Sequence, residues 1–506
     1  MIECGRHPFW LTSQGTDLSM RDAHGEPETT IASRSPLPKS VALVLALGAA
    51  AVLVCGIIMA VSLWRVVPFY DSWSMVTTFM QKQEGSLSFC NVIAQQNEHR
   101  IVWHRLLALA DFAYFRSTHR LLYPTLLISY LGLGAFLGWL VARGECATVR
   151  AMMIISSMAL LVSPIQLDNL AQPVQTGMAY AILFSGIAFL SVGLLAESTT
   201  RRQKVAYTAI SAAAIILAAF SMLQGLVGAS LVVIVACLLR VPALSRGVLI
   251  AVLGACIVVY FFWPCGYRWP VHHQPFFASF YSIKGIAEFA GHTAIHLGIF
   301  GGLLGLKPAV TIGSIGIALW LLALLVIVRR WRPGRQIDST LTALIGIATV
   351  MVATAVVTAF GRAGFGVHQA TSPRYATEGL VFWMCLFGIA WRFSDALASR
   401  IRSGAGASSI DRGASSWGVR PVAPSLVARS LMLCIAAVII VLSYYAWFSM
   451  IGQNWRYVIA ENQLLAQELR MGIFNEERAR LSYPRPEIIP GFVKFLRDNK
   501  LSIFAE

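Results

Sequence analysis

Residues 41–63 read VALVLALGAAAVLVCGIIMAVSL, a run without a single charge. A helix rises about 1.5 Å per residue, so roughly 20 apolar residues cross the hydrocarbon core of a bilayer. The run meets that length. It is too long, and starts too far from the N-terminus, for a typical cleaved signal peptide. Similar runs follow near 121–142, 150–165, 177–196, 205–223, 225–240, 247–263, 309–329, 340–360, 376–392 and 428–448. Hydropathy therefore predicts an all-α polytopic membrane protein of about eleven transmembrane helices. Composition agrees: 57% of the 506 residues are hydrophobic and 13% charged, against about 25% charged in soluble domains.

The net charge of +16 raises nucleic acid as a partner, but the placement of the charges argues against it. Arg143 and Arg150, then Arg201, Arg202 and Lys204, then Arg240 and Arg246, Arg329 to Arg335, and Arg392 to Arg420 sit at the ends of apolar runs. With eleven spans, all of these connectors fall on one side, as cytoplasmic loops do. The expected partners are membrane lipids and no nucleic acid. Residues 1–40 are polar and lack periodicity, so they read as a disordered cytoplasmic tail. The transmembrane domain then runs over 41–448. An odd span count places 449–506, a small helical segment, on the opposite, extracytoplasmic side. Residues 286–306 are apolar enough to span, but a span there would put the basic stretch near 329–335 outside. An interfacial or re-entrant helix is expected instead.

Most of the nine cysteines lie inside apolar runs, where they act as small hydrophobes, and no pair has zinc-type spacing. Cys90 and Cys265 fall in loops on one side and are free to form a disulfide. No motif implies a cofactor, and a divalent cation is left open.

The loops of the outer side hold nearly all the polar motifs that are not basic runs. They are 65–120 with PFYDSW and NEHRIVWHR, 164–176 with PIQLDNLAQPVQ, the short LQG at 223–225, the loop from 264 (within 264–308) with PCGYRWPVHHQPFF, and 361–378 with GRAGFGVHQATSPRYATE. A chain that gathers its polar side chains on one membrane face is expected to work there.

Asp71 follows the first span by a few residues. A carboxylate at the interface is costly unless solvated, paired or functional. It reads equally as the N-cap of a helix starting at DSWSM or as a catalytic base. In NEHRIVWHR, residues 97–105, a helix carried through to Asp111 puts Arg100, His104 and Asp111 on one face. Glu98 and Arg105 share the other. Polar groups on both sides suggest a helix packed between other elements, with Glu98–Arg105 and His104–Asp111 as internal pairs and one stripe facing a site. Arg362, His368, Arg374 and Tyr375 come from the 361–378 loop. Arg binds phosphate well because its rigid fork donates two hydrogen bonds. His273 is a further candidate beside Trp269. His292 and His296, at i and i+4, can share a ligand or pair with Glu288.

Together these features resemble the GT-C superfamily of polytopic glycosyltransferases, which take a sugar from a polyprenyl-phosphate carrier. The shared plan is an acid in the first outer loop just after the first span, then interfacial helices, then a bundle of spans. Asp71 stands where that acid belongs, although no second acid follows it in YDSW. The stretches from DSW through NEHRIVWHRLLALADFAYF, GRAGFGVHQATSPRY and FVKFLRDNKLSIF also resemble poorly characterised bacterial membrane proteins. The resemblance implies an inner-membrane enzyme moving a sugar from a polyprenyl-phosphate-linked donor to a glycan or lipid acceptor with inversion. It implies Asp71 as base and Glu98 as second acid or orienting group. Arg100, Arg362 and Arg374 are then candidates for the lipid phosphate, assisted by His99 and His368. His104, Arg105, His273 and Tyr375 complete the expected substrate-binding set. A lipid or glycan flippase, a polysaccharide ligase and a non-catalytic assembly partner are the competing classes.

Overall fold

The structure is a computed structural model that describes residues 39–270, 273, 275, 277–298, 305–330, 338–405, 450–483 and 485–505, with 437, 441, 444 and 445. The predicted tail, the span at 428–448 apart from four positions, and residues 406–426 lie outside this set.

Every regular element among the described residues is helical. The main helices are α1 (Lys39–Ser62), α2 (Ser72–Gln83), α3 (Phe89–Val92), α4 (Val102–Phe115), α5 (Leu122–Val141) and α6 (Ala147–Leu161). They continue as α7 (Leu167–Leu170), α8 (Thr176–Glu197), α9 (Arg201–Ala219), α10 (Leu223–Leu238), α11 (Ala243–Phe261) and α12 (Ile283–Leu297). The last are α13 (Leu306–Arg330), α14 (Ser339–Arg362), α15 (Ala376–Ala405), α16 (Met450–Met471), α17 (Glu476–Ser482) and α18 (Ile489–Asp498).

Each predicted span within the described residues is helical, but the count of eleven is not reproduced. Among the described residues six helices are long and apolar enough to cross a membrane, or seven if α6 and the bent segment after it, at 41°, form one broken span. The shortfall has local causes. α9 opens on Arg201, Arg202 and Lys204, and α15 runs past its apolar part into Arg392 and Asp395. α10 has 16 residues, about 24 Å of helix. α12 has 15 and falls shorter still.

α8 is the central post. It packs against α5, α9, α10 and α14, and 67% of its apolar window is buried. It is apolar on all sides, as a helix enclosed by others must be. α1, α11 and α13 are equally apolar but lie at the periphery. Leu43, Leu47, Ile250, Val258, Leu321 and Leu322 are exposed on them, a surface suited to lipid rather than water.

The C-terminal segment has its own small core. Leu465, Leu469, Ala479, Ile489, Val493 and Leu496 pack on Val67, Trp73 and Val76. Residues after 450 therefore sit against the loop that follows α1, on the same face.

Candidate active site

α1 ends at Ser62, and Pro68 keeps the next stretch irregular until α2 begins. Asp71 stands at the N-cap of α2, yet its side chain makes no capping bond. That removes the structural role the sequence left open for it. Instead Asp71 lines a cleft of about 1120 Å³, counting its open mouth.

The cleft takes residues from each of the five polar loops. Glu98 and His99 come from the first, Gln175 from the second, Gln224 from the third, His273 from the fourth, and Arg362, Arg374 and Tyr375 from the fifth. Groups far apart in sequence meet because all five loops leave the bundle at the same end.

NEHRIVWHR does not form one helix. α4 starts at Val102, and Glu98 sits in a tight turn closed by Gln96 N–H to His99 O at 2.8 Å and His99 N–H to Gln96 O at 2.9 Å. Asn97 takes φ 51° there, a left-handed conformation that Asn tolerates better than most residues. The turn docks on the α9–α10 junction. Val102 N–H donates to Phe220 O at 2.9 Å, and Leu223 N–H donates to His99 Nδ1 at 3.3 Å. Gly225 allows that junction to close, since a Cβ there would lie 1.8 Å from the carbonyl oxygen of Ala218.

This geometry corrects the stripe assignment. Glu98 does not pair with Arg105. It accepts from Arg362 Nη2 at 3.1 Å and lies 3.5 Å from His99 Nε2 and 3.6 Å from His273 Nε2. His273 approaches closely because position 361 is glycine; a Cβ there would lie 2.9 Å from its Nδ1. Arg105 Nη1 donates to the carbonyls of Val92 and Ala94 at 2.7 and 2.8 Å. Arg100 is fully buried. It donates to the carbonyls of Tyr260 at 2.6 Å and Ile93 at 2.5 Å, and also to that of Gly266. Both arginines tie loops together and neither lines the cleft. His104 is buried beside Arg105, and burial holds its imidazole down to about 3, in the neutral form. Asp111 does not meet His104. It accepts from the N–H groups of His119 and Leu121 at 2.9 and 2.7 Å. His368 is exposed and outside the cleft. Of the eleven predicted site residues, Asp71, Glu98, His99, His273, Arg362, Arg374 and Tyr375 converge, and Arg100, His104, Arg105 and His368 do not.

The two carboxylates have opposite environments. Burial pushes the Asp71 carboxyl up, and only part of that is offset by Arg374, His99 and a hydrogen bond with Gln96. Burial acts the same way on Glu98, but His99, Arg362 and His273 outweigh it and hold the group down to about 2. His99 itself is held low, first by its burial. Its Nδ1 accepts a backbone hydrogen bond, so the neutral ring carries its proton on Nε2, toward Glu98.

Gln175, Gln224, Thr354 and Glu378 were not anticipated. Glu378, in the first turn of a predicted span, carried a readable signal, because an acid in an apolar run is costly without a role. Asp168 also lies within electrostatic reach of Arg374. Cys90 and Cys265 are bonded, with Cα atoms 5.6 Å apart, and fasten the first loop to the fourth. Among the described residues, no group of three or more His, Cys, Asp or Glu side chains is placed to hold a metal ion.

No family model matches the chain, and no curated protein or solved structure matches it. The functional reading therefore rests on the chemistry of the cleft.

Proposed function

We propose that the chain is a glycosyltransferase that moves a sugar from a polyprenyl-phosphate donor to a glycan or lipid acceptor at the outer face of the inner membrane. The observation that carries this reading is Asp71. It is a partly buried carboxylate at a helix start that it does not cap, facing a cleft beside Arg374 and a second, ion-paired acid. Carboxylates whose environments push them apart take different roles. Asp71, the more basic, accepts the proton of the acceptor hydroxyl. The acceptor oxygen forms its bond to the anomeric carbon as the bond from that carbon to the phosphate oxygen breaks. The electron pair leaves with the polyprenyl phosphate, and configuration inverts. Arg374 and Arg362 offset the charge gathering on the phosphate. Glu98 stays ionised and holds Arg362, His99 and His273 in place.

The membrane setting agrees with this reading. The cleft lies at one end of α8, α10 and α14, where the head group of a lipid carrier would meet polar side chains. The Cys90–Cys265 bond suits an oxidising, extracytoplasmic compartment. A C-terminal segment packed on the first loop suits an odd number of spans between them.

The test is to incubate the purified protein in lipid nanodiscs with polyprenyl-phosphate-linked sugars, and to follow polyprenyl phosphate release by mass spectrometry and product configuration by NMR. The expected result is release coupled to an inverted glycosidic product. Absence of release with every donor and acceptor tried would remove the reading.

A further inference from the structure

One part of the cleft is more deeply buried than the part that holds Asp71, Glu98 and the arginines. Four elements meet there: Gln175 just ahead of α8, Gln224 in the first turn of α10, Thr354 in α14, and Glu378 in the first turn of α15. All four side chains belong to residues more than nine-tenths buried. Gln224 lies within hydrogen-bonding reach of Glu378. Gln175 Oε1, Thr354 Oγ1 and Glu378 Oε2 have no hydrogen-bond partner, and neither has the hydroxyl of Tyr375, which lines the same cleft. Buried polar atoms are seldom left unpaired in native proteins. Several converging on one cleft from separate helices point to a ligand that completes them.

The atoms specify its chemistry. An amide oxygen only accepts, whereas the carboxyl of Glu378 and the two hydroxyls can do either. The ligand must therefore bring donors. The two arginines of the cleft, Arg362 and Arg374, stand with Asp71 and Glu98, and neither is among the groups that act on Glu378, so the surroundings of Glu378 offer an anion no cation. Met178, Met222 and Val227 line the cleft as well, apolar surfaces that suit C–H faces between hydroxyls.

We propose that this floor seats the uncharged, hydroxyl-bearing ring of the transferred sugar. Its hydroxyls donate to Gln175, Glu378 and Thr354. The proposal rests on the glycosyl-transfer reading of the same cleft. It adds a subsite for the sugar separate from the arginines that face the phosphate.

The test is thermal melting of the purified full-length chain in detergent with about 100 mM D-glucose, D-mannose, D-galactose, D-arabinose or D-glucosamine. The variants are Thr354→Val and Gln175→Leu, each close in shape to the residue replaced. The expected result is a rise in Tm of about 2 °C or more with at least one neutral sugar, lost in both variants. No rise with any sugar, or an equal rise in wild type and variants, overturns the proposal. A rise with glucosamine alone also overturns it, in favour of an ammonium site at Glu378. Farnesyl phosphate, tested on the same samples and against Arg374→Ala, reads the mouth of the cleft. Its failure to bind would count against the polyprenyl-phosphate reading without altering the sugar result.

Discussion

The backbone N–H of Tyr70 donates to the carbonyl of Ser482 at 2.8 Å, joining the residue before Asp71 to the C-terminal segment. Tyr70 holds φ 46°, a left-handed conformation that is costly for an aromatic residue and persists only when its surroundings enforce it. Ser482 enforces it from both sides of Asp71. Its Oγ accepts from Trp73 Nε1 at 3.1 Å and donates to the carbonyl of Pro68 at 3.0 Å. The C-terminal segment is thus part of what sets the position of the base.

Ser482→Ala keeps the backbone bond to Tyr70 and loses both side-chain bonds, leaving Trp73 Nε1 buried without a partner. The expected cost is about 1–3 kcal/mol of stability, with a fall in kcat larger than any rise in KM. Thermal melting and steady-state kinetics on the same preparation check it.

The two carboxylates give a pH dependence with a definite sign. A base works when ionised, and burial raises the Asp71 carboxyl above the usual aspartate range. Activity should therefore rise with pH through that raised value. Glu98 adds to the rise, so Glu98→Gln should move the acid limb of the pH–rate profile to lower pH. Stability runs separately. Glu98 is held at about 2 in the folded chain against 4.5 as its ordinary value. The stability it contributes is complete above about 4.5 and is lost as pH falls toward about 2. Melting curves of wild type and Glu98→Gln should converge across that window.

Arg100 and Arg374 should fail differently. Arg100→Ala leaves two buried carbonyls and one partly buried carbonyl without their donor, a loss of about 3 kcal/mol or more, seen as a lower Tm. Arg374 makes no ion pair within 4 Å among the described residues, and its Nε donates to Ser372 Oγ at 3.2 Å. Arg374→Ala should leave Tm nearly unchanged and weaken binding of farnesyl phosphate at least tenfold. Equal effects of the two variants on Tm would contradict the division of roles.

The Cys90–Cys265 bond closes a sequence separation of 175 residues and braces the turn that carries Glu98. Its removal in the double Ser variant should cost about 2–5 kcal/mol. Melting with and without reductant, alongside non-reducing mass analysis, checks both the bond and its effect.

Much of this arrangement was legible in the sequence. The apolar runs marked the helices, and the basic connectors sorted the loops so well that all five polar loops meet in one cleft. The C-terminal segment, which the charge pattern puts on the outer side with the first loop, packs on the loop after α1. The internal geometry of NEHRIVWHR was not legible. Periodicity gave it a helix, whereas Asn97 at positive φ and the Gln96–His99 turn delay the helix to Val102. That shift turns Glu98 into the cleft and Arg100 toward the carbonyls of Tyr260 and Gly266. Fewer helices among the described residues are long and apolar enough to cross a membrane than the eleven expected, because helical patterning does not distinguish a span from a shorter or more polar helix of the same bundle. The floor of the cleft was missed because its residues are single polar groups at helix ends, brought together only by packing around α8.

The central claim is that Asp71 is the base. Asp71→Asn keeps the size of the side chain, and no capping bond is there to lose. Removing a partly buried charge whose carboxyl is pushed up should leave Tm equal to or above that of wild type. Sugar transfer from a polyprenyl-phosphate donor by the purified variant should fall by about 10²–10⁴-fold. Transfer at the wild-type rate by a folded Asp71→Asn protein would contradict the account.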